Sequence, residues 1–135
     1  METTMRHLIA MAVLCLFALA PASARDYGQW SNQSDIVRDW YATLMQPDNP
    51  TVSCCGEADG YWADQVETAP DGSLIAVVTD DRPDEPLHRH HVDIGTRIPV
   101  PQAKIKFDRG NPTGHIIIFL SYSNQPFCYV QNGAV

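Results

Sequence analysis

The sequence predicts an α+β domain in which one N-terminal amphipathic helix packs on a small antiparallel sheet or open barrel, stapled by a disulfide. Three observations carry this. Apolar residues recur at helical spacing only between positions 31 and 46. After position 55 the apolar segments are short and separated by Pro, Gly, Asn and Asp, the punctuation of strands. Two adjacent cysteines, at 54 and 55, stand far from a third at 128.

The helix comes first. Ile36, Val37, Trp40, Tyr41, Leu44 and Met45 fall on one face at 3.6-residue periodicity. Ser31 or Ser34 caps its start, Asp35 suits the positive end of the dipole, and Pro47 stops it. Residues 46–51 then read as a Pro/Asn/Asp loop leading into the cysteine pair. Strands are expected over 61–68 and 73–79, flanking the turn Ala69-Pro70-Asp71-Gly72. Residues 80–87 are acidic, contain two prolines and read as a solvated loop. Short strands follow at 90–93, 97–100 and 103–107. Asn111-Pro112-Thr113-Gly114 is a strong turn signal. The most apolar strand, 115–121, is expected at the centre, and 127–131 closes the fold.

The chain has 135 residues, 44% apolar and 19% charged, the composition of one ordinary globular domain. Residues 1–24 read as an export signal that is removed. Arg6 and His7 precede an apolar run over 8–20, Pro21 breaks it, and Ala22-Ser23-Ala24 is a cleavage pattern. A run of that length is too short to span a bilayer as a helix, so no stable membrane anchor is expected after cleavage. A single domain over 25–135 remains, directed to the periplasm or secreted. The leader removes one base, Arg6, and one acid, Glu2, so the net charge stays at −7. That sign, with no basic stripe, excludes nucleic acid and anionic lipid as partners.

Cysteine arithmetic supplies the staple. Cys15 leaves with the leader, so Cys54, Cys55 and Cys128 remain in an oxidising compartment. Pairing either Cys54 or Cys55 with Cys128 closes a loop worth about 4 kcal/mol in the chain-entropy picture. A vicinal Cys54–Cys55 bridge demands strained geometry. The leftover thiol is either buried and inert or a route to a covalent dimer.

The segment with most chemical character is Leu87-His88-Arg89-His90-His91-Val92-Asp93. If extended, it places His88 and His90 on one side and His91 on the other. Two imidazoles at that spacing, completed by His115 or the odd thiol, could hold a metal. Zinc patterns carry two ligand pairs, however, and only one is visible, so the expectation is an exposed polar segment that titrates near neutral pH. The run Asp80, Asp81, Asp84, Glu85 lacks the ordered spacing of a calcium loop and reads as solvated charge. No nucleophile elbow, phosphate-cradling glycine loop, zinc-protease helix or C-x-x-C motif is present. Neither a catalytic residue nor a cofactor is assigned. Trp30, Tyr61, Trp62, Tyr122 and Tyr129 are the aromatics available for an exposed binding patch.

Read together, several features resemble a family of small exported proteins of alphaproteobacteria. They are Trp40-Tyr41 ahead of Pro47, the Ser53-Cys54-Cys55 step, Val100-Pro101 and Lys104-Ile105, the Asn111-Pro112-Thr113-Gly114 turn and Phe127-Cys128-Tyr129. The resemblance implies export and a stapled small domain, and it transfers no catalytic or binding residue. Some similar sequences carry further cysteines near Gly60 and around Phe119. This chain has neither, so a second bridge is not implied.

The expected function is a non-enzymatic binding or accessory role towards a protein or envelope component. One alternative is a periplasmic copper- or zinc-binding protein using His88, His90 and the odd cysteine. It requires at least three of His88, His90, His91, His115 and a thiol within about 2–2.5 Å of a common point. A small cysteine- or carboxylate-dependent hydrolase is the second alternative.

Overall fold

The computed structural model describes residues 34–132. The expected leader and Trp30 lie outside them. Helix α1 spans Asp35–Thr43. Ser34, rather than Ser31, caps it, with its side chain accepting from the Val37 amide at 3.4 Å. The helix ends earlier than its apolar stripe, because the residues expected to form a loop are instead a small hairpin. Strand β1 (Met45–Gln46) pairs antiparallel with β2 (Asn49–Ser53). Tertiary contacts hold it there: Lys104 Nζ reaches Gln46 Oε1 at 3.1 Å and Asp48 at 2.8 Å.

A 3-10 turn at Glu57–Asp59 leads into β3 (Gly60–Trp62), and β4 (Gln65–Thr68) follows. The strand expected over 61–68 is therefore two strands in different sheets. The chain breaks at Ala63 and Asp64, where Ala63 N donates to the Ile116 carbonyl and Asp64 Oδ1 takes the Ile116 amide, both at 2.8 Å. The hairpin between β4 and β5 (Leu74–Val77) forms as read, with Gly72 at φ +85° in its turn. Strand β6 (Arg97–Val100) extends that sheet to the order β4-β5-β6. Residues 90–93 are not a strand, and His88 at φ +53° bends the segment away from extension.

The remaining strands are β7 (Ile105–Phe107), β8 (Ile117–Leu120) and β9 (Pro126–Gln131). With β3 they form a sheet of order β3-β8-β9-β7. One pairing corrects the antiparallel expectation, since β7 and β9 run parallel. Loop 108–116 returns the chain opposite to β7, and β9, joined to β8 by a tight turn, slots between them. A strand inserted there must run with β7.

Strand β8 is central, as its composition predicts, because both of its faces are buried. Ile118 and Leu120 join Tyr61, Ala76, Ile98 and Tyr129 in one cluster. Ile117 and Phe119 join Trp40, Tyr41, Leu44, Cys54, Cys128 and Val130 in the other. The rings of Tyr41 and Phe119 meet edge-on at 5.9 Å. Cys54 is the bridged neighbour: its disulfide to Cys128 spans 74 residues, with Cα atoms 5.6 Å apart. Among the described residues no helix is long and apolar enough to cross a membrane.

Candidate functional site

The acidic segment after β5 is solvated at Asp81 and Glu85, as its composition suggests, but not at Asp80. Asp80 is buried and accepts from five groups. Arg82 grips it side-on, Nε at 2.9 Å from Oδ1 and Nη2 at 2.7 Å from Oδ2. Arg89 Nη1 adds a bond of 2.7 Å, and the amides of Trp62 and Arg82 supply two more. Arg89 is itself buried and lies over the Tyr61 ring, 4.9 Å from its centroid. It continues outward through Nε to Asp84 at 3.3 Å. Inward, Arg82 Nη1 reaches the buried Glu57 Oε1 at 3.1 Å, and Nη2 reaches the Gly60 carbonyl at 3.2 Å. Two arginines and two buried carboxylates thus cross-link the 57–60 turn to loop 80–89.

A cleft of about 240 Å³ opens onto this network. Val37 and Tyr41 of α1 and Pro112 of the 111–114 turn line it with apolar surface, and Glu57, Trp62, Arg82, Thr113 and His115 complete it. The turn is rigid: Asn111 Nδ2 donates to the His115 carbonyl, and Asn111 Oδ1 takes the Thr113 amide at 2.9 Å. His115 stacks on Trp62 with centroids 3.7 Å apart, and the Arg82 guanidinium sits 4.4 Å from the Trp62 ring centroid. Asp64 orients the imidazole through Nδ1 at 2.7 Å. A second, larger cleft of about 530 Å³ shares Arg82, with Asp84, His91 and Ile94 in its lining.

Burial pushes the Asp80 carboxyl up, but hydrogen bonds from Arg82 and Arg89 outweigh it and hold the group well below the usual carboxylate range. Glu57 moves the other way, because burial exceeds the attraction of Arg82 and Arg89. Burial likewise pushes the Tyr41 hydroxyl up.

The four candidate metal-binding histidines go to separate partners. His88 Nδ1 faces Glu85 at 3.1 Å. His90 bridges the Tyr61 hydroxyl and Asn124 Oδ1, at 3.1 and 3.0 Å. His91 lies between Asp84 and Asp93, at 2.8 and 3.1 Å. His115 belongs to the Trp62 cleft. Among the described residues no group of three or more His, Cys, Asp or Glu side chains is arranged to hold a metal ion. Cys55 is the free thiol, half-buried, and burial reinforced by Asp59 pushes its acidity down, which disfavours the reactive thiolate.

Of the aromatics reserved for a surface patch, Tyr61 and Tyr129 are core, Trp62 is half-buried in the cleft and Tyr122 is 84% exposed. Sequence reasoning missed Glu57, Asp80, Arg82 and Arg89 as a unit. The available signal was Asp80, separated only by Thr79 from the apolar run Ala76-Val77-Val78, with arginines two and nine positions on. No family model matches the chain, and neither a curated protein nor a solved structure does. Fold and site together define a small disulfide-bonded α+β domain with a preformed polar cleft.

Proposed function

We propose that the protein is a small exported binding or accessory domain, acting in the periplasm or after secretion on a protein or envelope component. In this reading it is a member of the alphaproteobacterial exported family, with its N-terminal helix packed on the sheet. One observation carries the proposal. A buried, charge-compensated network fixes Arg82 and Trp62 at the wall of a small cleft, so polar and aromatic groups are held ready before any partner arrives. A disulfide between distant segments supports an oxidising compartment.

The test has two parts. N-terminal sequencing of protein expressed with its own leader should begin at Arg25; an intact precursor in the cytosol overturns export. A photoreactive residue at Val37, at the cleft, should cross-link one defined envelope species, and one at Val66, exposed on β4, should not. Equal labelling from both positions overturns the cleft as the contact site.

A further inference from the structure

We infer that the cleft receives a neutral aromatic side chain bearing one polar atom, that of a tyrosine or tryptophan in a partner polypeptide. This rests on the reading of the cleft as the contact site of an exported binding domain.

Charge decides against ionic ligands. Arg82 and Arg89 are balanced by Asp80 and Glu57, so no net positive field remains to draw an anion. A cation finds the oxygens of Asp80 and Asp64 engaged and Glu57 Oε1 paired with Arg82. Asp80 accepts on both oxygens, and Asp64 gives Oδ2 to His115 and Oδ1 to the Ile116 amide. The ring of Trp62, a natural cation acceptor, already has the Arg82 guanidinium 4.4 Å from its centroid and the His115 imidazole stacked at 3.7 Å.

What the cleft still offers is limited and specific. A guanidinium has five N–H donors, and Arg82 uses four on side-chain and backbone acceptors. Its remaining Nη1 proton has no partner among the described residues, and neither has His115 Nε2. Val37, Tyr41 and Pro112 provide apolar contact. With His115 Nδ1–H donating to Asp64, the Arg82 Nη1 proton is a donor and His115 Nε2 an acceptor, so a ring hydroxyl can meet both and an indole N–H meets the acceptor alone. A sugar, with a polar group on nearly every carbon, would leave most of them unpaired. The volume of about 240 Å³ is below the range of drug- and cofactor-sized pockets and suits one large side chain. Tyr and Trp also lose little conformational entropy on insertion, and the cleft is already braced by the 57–60 turn and the 111–114 turn.

The experiment titrates the full exported chain, disulfide intact, with N-acetyl-tyrosinamide and N-acetyl-tryptophanamide while following the Trp62 indole and His115 ring by NMR. N-acetyl-leucinamide, glucose, acetate and guanidinium are the comparison probes. The aromatic amides should give saturable shifts at both reporters. H115F, which keeps the stack and removes the ring nitrogen, should weaken the affinity read at the Trp62 indole about fivefold. V37W, which fills the cleft from a half-buried position on the helix, should abolish the shifts while the dispersion of the remaining NMR signals persists. Comparable shifts from leucinamide or glucose would overturn the aromatic assignment while keeping the cleft as a ligand site. A response to acetate or guanidinium alone would overturn the charge argument. Silence with every probe would overturn both this inference and the cleft itself.

Discussion

Asp80 and Arg82, two positions apart, lock side-on through bonds of 2.9 and 2.7 Å, and the carboxylate they share with Arg89 is fully buried. The pair turns an outwardly acidic loop inward. It closes the open edge of β3, because Asp80 Oδ2 also takes the Trp62 amide at 3.1 Å.

D80N should therefore be among the most damaging single changes. It leaves Arg89, whose side chain is 1% exposed, without its shorter and buried charge partner, with only the 3.3 Å contact to the partly exposed Asp84 remaining. Breaking a buried pair from one side costs about 3–5 kcal/mol. Urea unfolding should show a loss of unfolding free energy of that order, and a loss no larger than that of a surface control, D71N, would contradict the account.

The two cysteines of the adjacent pair should behave oppositely. C54S and C128S each open the 74-residue link and should cost about 2–5 kcal/mol. C55S touches no bridge and should change stability little. Thiol titration of the chain beginning at Arg25, under denaturing and non-reducing conditions, should count one thiol in the parent and none in C55S.

Gly60 faces Phe119 across the β3–β8 ladder, and a methyl group there would be tightly packed. A Cβ would stand 3.2 Å from Ile117 Cγ2, 3.4 Å from Phe119 Cε1 and 3.5 Å from Tyr41 Cε1. All three neighbours are buried and interlocked, and the Gly60 backbone, at φ −96°, suits any residue. The cost of G60A is thus steric, about 1–3 kcal/mol, measured by thermal or chemical unfolding.

Loop 80–93 should have a bounded pH range of greatest order. His91 is raised by its hydrogen bond to Asp84 first and that to Asp93 second. A raised imidazole stabilises fully below its unfolded value, about 6.5, and that contribution disappears as pH rises through the folded value. Asp84 is lowered, chiefly by the bond from His91, so its contribution is present above the unfolded value, about 3.9, and lost as pH falls through the folded one. Amide exchange across 80–93 should accelerate on the alkaline side beyond its intrinsic pH dependence. H91Q should remove that excess, and an unchanged profile in H91Q would refute the His91 clamp.

How much of this was legible varied with the range of the interaction. The Ser34 cap, the Gly72 and Gly114 turns, and the double-sided burial of β8 are written into neighbouring residues or local apolar density. The break of the 61–68 strand was not, because it depends on Asp64 meeting His115 and Ile116 some fifty positions later. The β1–β2 hairpin was hidden for the same reason, its anchor being Lys104.

By itself the sequence determined the α+β class, the main turns, the need for a bridge to Cys128 and the Val37, Trp40, Tyr41 part of the helix face, though not Ile36, which is 71% exposed, or Met45, which lies in β1, since propensity, periodicity and turn chemistry act over a few residues. Only the tertiary structure decided that Cys54 and not Cys55 is bonded, that β9 lies parallel to β7, and that Asp80 is a buried anchor. A charge leaves water only when partners from elsewhere in the chain replace its solvation, and their convergence is a property of the folded chain.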